Sequence, residues 1–371
     1  MRAGRGVSAK VATLRRERTA PARVALLGTG TVGSAAWARL ARWQGTPQGE
    51  RLRLVHAANS RFALADPEGI AGKAGELLLR NAPQASALDA VDVALSGAGT
   101  RIVIDATASE RVAEWHAHWL VRGIHVVTAC KLGQGTSLAR WRAIQEARRA
   151  GDADYGDSAT VGAGLPVLHA IRRLRAGGDS IHAIAGLLSG SLGWLLNSYD
   201  GLRPFSGFVR QAQEAGYTEP DPREDLSGED VRRKLLILAR AAGHPLESES
   251  VQVEPLMPTE LSALPRADVD AALPLLDAPL RDRFAAAYKN GEKLRFVGRL
   301  QTGGLATVGL EALAAGHPLV GGSGADNRVA IWSDRYRDQP LVIQGPGAGA
   351  EVTAAALLDD ALAIQAARSQ D

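Results

Sequence analysis

Val24-Ala25-Leu26-Leu27 is a short apolar run, closed by Gly28-Thr29-Gly30-Thr31-Val32-Gly33 and followed by Ser34 to Trp43, whose spacing predicts a helix. Further runs at Leu52 to Ala57, Arg101 to Asp105 and His125 to Thr128 read as strands, with a helix predicted over Val112 to Arg122. Strands alternating with helices over the first 130 residues predict a βαβ organisation. From Ser158 the pattern changes. A glycine-rich turn, Ser158 to Pro166, precedes an amphipathic helix over Val167 to Arg175 and a strand over Ile181 to Leu188 that ends in Ser189-Gly190-Ser191. Strands are expected again at Leu294 to Leu300 and Ala306 to Glu311, before Leu341 to Gln344 and the glycine-rich Gly345 to Gly349, and an Ala/Leu-rich helix is expected over Val352 to Arg368. The fold class this predicts is α/β: a Rossmann-like nucleotide-binding domain over 23–150 and an α+β domain over 151–335. The segment 336–371 closes the chain.

A chain of 371 residues with 46% apolar residues is long enough for two domains with cores of their own. No run of 18 apolar residues predicts a membrane span, and the N-terminus lacks the apolar centre of a secretory signal. Cys130, the single cysteine, excludes an intrachain disulfide framework and a cysteine-built metal cluster, which fits a cytoplasmic protein. The net charge of +3 hides an asymmetry: residues 1–23 carry seven Arg or Lys against Glu17, a local +6 that leaves −3 for the remainder. Residues 1–22 read as a basic arm, either a disordered extension, a nucleic-acid contact or a transit-like segment. The body has no basic tract with interleaved aromatics, and neither nucleic acid nor membrane is expected as its partner.

Candidate chemistry starts at the glycine turn. Gly28 and Gly30 let the chain turn and let a pyrophosphate approach the helix start at Thr31 and Val32, and Gly33 permits close helix packing. At the end of the second strand, where an acidic residue would hold the ribose of NAD, the chain has Ala58-Asn59-Ser60-Arg61. Arg61 with small polar neighbours predicts that NADP is accepted. Thr107 and Lys131 emerge at strand carboxyl ends, the ligand edge of such a sheet. In Ser158 to Pro166, glycines aim successive carbonyls at one point, as a hard-cation cage does, although a helix-entry turn has the same composition. The run Gly216 to Lys234 packs carboxylates between prolines and ends in a cationic helix, with Ser227 as its expected cap. Asp230 and Lys234, four residues apart, share one helix face. That pair is consistent with a solvated surface helix or with a site.

Together these motifs resemble the homoserine dehydrogenases, from Arg23 to about Ala367. The resemblance is carried by Gly28 to Gly33, Val126-Val127-Thr128-Ala129-Cys130-Lys131, Thr160 to Pro166, Leu187-Leu188-Ser189-Gly190-Ser191, Gly216 to Lys234 and Gly345-Pro346-Gly347-Ala348-Gly349. It implies reversible hydride transfer between aspartate semialdehyde and homoserine, using NADP or NAD. It also implies that Glu219 binds substrate, that Lys234 gives and takes the proton, and that Asp225 and Asp230 support that site. Lys131 would sit between nicotinamide and substrate, and Gly349 would approach the cofactor. The carbonyls of Val161, Ala163 and Leu165 would hold a monovalent cation such as Na+. The second domain would bind substrate and form a homodimer, and the C-terminal segment would return to the nucleotide domain. With fewer than 25 residues after Gly349, a monofunctional enzyme without threonine feedback is expected. Two residues depart from the family pattern: Cys130 where Asn is usual, which bears on cofactor contacts, and Ser158 where an acid is usual, which bears on cation affinity. A non-catalytic dinucleotide-binding relative, or a dehydrogenase of another semialdehyde, would share much of this pattern.

Overall fold

The computed structural model describes residues 20–70, 72, 79, 82, 84–322 and 324–369. The basic arm expected over 1–22 lies outside the described residues up to position 19.

Two sheets organise the chain. The first has seven strands, β1 (Ala22–Leu27), β2 (Leu52–Ala58), β3 (Phe62–Ala65), β4 (Gln84–Ala85), β5 (Arg101–Asp105), β6 (His125–Thr128) and β7 (Tyr155–Gly156), in the order β4-β3-β2-β1-β5-β6-β7. The segment β2-β1-β5-β6-β7 is parallel, and its strands are apolar along most of their length because helices cover both faces. β3 and β4 are antiparallel additions too short for periodicity to reveal. The helix after the glycine turn runs Thr31–Arg42, three residues earlier than its apolar spacing indicates.

The last helix, Ala350–Arg368, packs back onto this sheet: Leu357, Leu358, Ala361 and Ile364 share a core with Val24, Leu26 and Ile104. Ala35, Ala36 and Ala354 let it lie close to Thr31–Arg42, and Arg51 donates to Gln365 Oε1 at 2.7 Å.

The second sheet is mixed: β13 (Leu341–Gly345), β12 (Asn327–Ser333), β8 (Ile181–Leu187), β10 (Glu292–Leu300), β11 (Ala306–Ala314) and β9 (Val251–Val253), in that order. One face is covered by helices Val167–Ala176, Gly190–Ser198, Phe205–Glu214 and Glu229–Ala241 around a large apolar core. β12 escapes the sequence reading because only Val329-Ala330-Ile331 is continuously apolar, between Asn327-Arg328 and Trp332-Ser333. Leu138–Ala150 also escapes it, since four arginines interrupt its apolar stripe.

Candidate active site

A cleft of about 1470 Å³ opens between the carboxyl edge of the parallel sheet, the second domain and the start of the last helix. Of the residues singled out in the sequence, Thr31, Val32, Thr107, Lys131, Ala163, Glu219, Asp225, Asp230, Lys234 and Gly349 line it. Gly28, Gly30, Gly33, Arg61, Val161 and Leu165 do not.

The glycine turn has the geometry its composition calls for. Gly28 takes φ +89°, and a Cβ there would stand 2.8 Å from Ala106 O; a Cβ on Gly33 would overlap Gly28 O. Gly30 starts the helix without a side-chain cap, and the space a Cβ would take there is open. The first helical N–H groups are therefore free to meet an anion, and the turn fits a dinucleotide pyrophosphate. Thr107 is held from below: its N–H and Oγ1 both donate to Asp105 Oδ1, at 2.9 and 2.6 Å. Arg61 is exposed at the β2–β3 turn, where Asn59 Oδ1 accepts the N–H groups of Arg61 and Phe62. Among the described residues no carboxylate pairs with it.

The Gly216 to Lys234 run folds in two steps. Asp221, extended as its flanking prolines require, caps a short helix, Pro222–Leu226, by accepting from Arg223 N. The cationic helix then begins at Glu229, and here the expectation for Ser227 needs correction. Gly228, left-handed at φ +76°, precedes the helix, while Ser227 ends the short one and accepts the Glu229 N–H from outside. A side chain at Gly228 would press on Phe296, which leaves this kink to glycine.

That kink aims Asp230 and Lys234 into the cleft. Lys234 Nζ lies 2.7 Å from Asp230 Oδ2 and donates to Leu188 O at 2.6 Å. Lys131, arriving from the other domain, reaches Asp230 Oδ1 at 3.5 Å. One carboxylate thus joins two ammonium groups from different domains. Desolvation pushes the Asp230 carboxyl up, but Lys234 and Lys131 outweigh it and hold it down at about 2. Asp225 is different: burial raises its pKa against the bonds it accepts from Ser191 Oγ (2.6 Å) and Glu219 N (2.8 Å). The Glu219 side chain is exposed at the cleft, so Asp225 fixes its backbone rather than its carboxylate. Ser191 and Leu188 belong to the Leu187 to Ser191 motif that carries the resemblance, but nothing in the sequence assigns them the bonds to Asp225 and Lys234.

Both departures from the family pattern have structural answers. Cys130 is buried at 3% exposure and outside the cleft lining, its thiol pushed up to about 12 first by burial and then by Asp105. Ser158 donates its N–H and Oγ to Asp360 at 3.0 and 2.7 Å, so a carboxylate is supplied there from the last helix. The following turn is wound by Gly162 (φ +77°) and Ala163 (φ +50°). Leu165 O accepts from Val167 N at 2.8 Å, which leaves its second lone pair for any cation. Among the described residues no group of three His, Cys, Asp or Glu side chains is placed to hold a metal ion.

Residues 166–362 match the homoserine dehydrogenase family, and residues 28–155 match the homoserine dehydrogenase NAD-binding domain. The homoserine dehydrogenase of Emericella nidulans is 34% identical over 93% of this chain and 99% of its own length. The bifunctional aspartokinase/homoserine dehydrogenase 2 of Escherichia coli is 43% identical over 70% of this chain, but only 32% of its own length is matched. The chain thus spans about a third of that bifunctional relative. A solved Candida auris protein of unknown function superposes with a TM-score of 0.86 at 34% identity, covering 94% of this chain and 99% of that one. A nucleotide turn, two lysines on one carboxylate and these matches along the chain agree: the protein belongs to the homoserine dehydrogenase family.

Proposed function

We propose that this chain is an NAD(P)-dependent homoserine dehydrogenase, interconverting L-aspartate 4-semialdehyde and L-homoserine. The observation that carries the reading is the bridge from Lys131 through Asp230 to Lys234, in the cleft that Thr31 and Val32 of the glycine turn also line. The dinucleotide, held by Gly28 to Gly33, Thr107 and Gly349, supplies or accepts the hydride. Glu219 answers the substrate ammonium, and Asp225 keeps Glu219 in place through its N–H. Lys131 orients the reacting oxygen. Lys234 uses two of its three donors on Asp230 and Leu188 O, and the third serves the alkoxide that develops during reduction. Asp230 remains a carboxylate throughout and keeps the two ammonium groups apart.

Arg61, which pairs with no carboxylate among the described residues, supports acceptance of the NADP 2′-phosphate. Residues 23–150, extended by β7 (Tyr155–Gly156), then form the nucleotide domain and the rest of 151–335 the substrate and dimer domain; of 336–371, β13 (Leu341–Gly345) stays with the second sheet and the helix Ala350–Arg368 returns to the nucleotide domain. The carbonyls of Val161, Ala163 and Leu165 are the proposed seat of a monovalent cation such as Na+, and a Na+-dependent rise in melting temperature would report its binding. Among the described residues no helix is long and apolar enough to cross a membrane. The test of the activity is direct: homoserine with NADP+ and with NAD+, followed by absorbance of the reduced nicotinamide. Turnover with NADP+ at least equal to that with NAD+ is expected. Absence of turnover with both would overturn the activity, and a large preference for NAD+ would overturn the role given to Arg61.

A further inference from the structure

The two lysines of the site come from different domains, so their spacing is set by whatever joins those domains. Lys131 follows β6 of the nucleotide domain by three residues and opens the loop Leu132 to Ser137; Lys234 sits on the helix Glu229–Ala241 of the other domain. That loop and that helix meet at Gly135. A Cβ on Gly135 would stand 2.8 Å from Lys131 O and 2.9 Å from Arg233 O, the carbonyls of one lysine and of the neighbour of the other. Gly135 also donates its N–H to Lys131 O at 2.7 Å, which folds the loop back on itself. Only a residue without a side chain lets the two backbones come this close.

About two turns beyond Arg233 on the same helix, Arg240 closes the contact. It is 3% exposed, and its guanidinium donates to Gln134 O, to Thr136 O at 2.7 Å and to Leu246 O at 2.8 Å. Two of these acceptors flank Gly135. The planar fork of an arginine reaches three carbonyls at once, and a lysine ammonium on a flexible stem has no such geometry. Burial lowers the guanidinium to about 10, which leaves it charged at neutral pH. On the far side of the loop, Gln134 Nε2 donates to the buried Asp157, which also receives both terminal nitrogens of Arg172, at 2.6 and 2.7 Å. The loop is thereby anchored on both flanks.

We infer that Gly135 and Arg240 form an interdomain clasp of positioning residues that sets the distance between Lys131 and Lys234 across Asp230. Neither residue lines the cleft, so they act through the lysines. The inference rests on the dehydrogenase reading above and concerns kcat, which registers the alignment of reacting groups, rather than cofactor affinity.

The test uses the full chain with Gly135→Ala, assayed for homoserine oxidation, with turnover expressed per nucleotide-binding site titrated by NADPH fluorescence. Normalising in this way removes any misfolded fraction. A fall in kcat of at least fivefold, with the NADPH Kd within twofold of wild type, is expected. A smaller fall, or a parallel weakening of NADPH binding, overturns the clasp. Should Gly135→Ala yield no binding sites, Arg240→Lys decides by the same two numbers, and Arg240→Met, which lacks every donor, must then be worse than Arg240→Lys. An inactive wild-type chain would instead count against the dehydrogenase reading, so the two failures are distinguishable.

Discussion

At the residue scale the proposed chemistry converges on one nitrogen. Lys234 Nζ is bonded to Asp230 and to Leu188 O, and its side chain is only 12% exposed in the open cleft. Replacing it by alanine removes the proposed proton donor while leaving the glycine turn, Thr107 and Gly349 intact. Lys234→Ala is therefore expected to lower kcat by roughly 10² to 10⁴, the range for loss of a general acid or base, with NADPH affinity unchanged. Parallel loss of turnover and nucleotide binding would mark Lys234 as a structural residue. The i,i+4 spacing made the Asp230–Lys234 pair legible in the sequence, since helix geometry alone puts both on one face. Lys131 on the other carboxylate oxygen was not, because that contact crosses two domains and some hundred residues of chain.

At the element scale the last helix does more than cover the parallel sheet. Its Asp360 is 5% exposed and accepts both hydrogen bonds of Ser158, where the family pattern has an acid in the turn itself. A charge deleted from one element is thus supplied by another, a compensation hidden from a reading that follows the chain position by position. Asp360→Ala leaves the buried Ser158 N–H without an acceptor and its hydroxyl with only His169 Nε2, 2.7 Å away, at an expected cost of about 1 to 3 kcal/mol in urea unfolding. His169 Nε2 lies 3.4 Å from the same carboxylate, and the bond to Asp360 raises its pKa above the ordinary value. A raised folded pKa adds stability below the unfolded value of about 6.5 and loses it as pH rises through the folded one. The penalty of Asp360→Ala should accordingly be larger near pH 6 than near pH 9. An equal penalty at both would show that His169 takes no part. Elements with one dominant signal, β1 with its glycine turn or the acidic run before Lys234, were legible. β12 and the arginine-rich Leu138–Ala150 were not, because polar residues interrupt the apolar pattern of each, even though Leu138–Ala150 is composed largely of good helix formers.

At the scale of the whole molecule the six-stranded sheet is unequally covered. Helices bury one face around a large core, whereas on the other Ala185, Leu187, Val297, Leu313, Leu319 and Ala330 form a small cluster with Trp332, Val342 and Val320, each partly buried, packed against it. Beside them is a recess of about 350 Å³ lined by His182, Ala183, Arg299, Trp332 and Arg337. The charges at its rim are already answered within the chain: Arg299 holds Glu311, and Asp334 receives His182 and Arg337. A partner meeting this face would bury apolar surface without stranding a charge, which is what a second copy of the same sheet provides under two-fold symmetry. The proposed homodimer should therefore form here and give a light-scattering mass of twice 39.0 kDa. An aromatic at the centre of such a patch carries a large share of the association energy, so Trp332→Asp is expected to shift the protein to monomer at micromolar concentration. The cleft residues lie outside this patch, and the variant's cofactor affinity should be unchanged. A wild-type mass of one chain at every concentration would refute the dimer. A Trp332→Asp dimer as stable as wild type would move the interface elsewhere on the molecule.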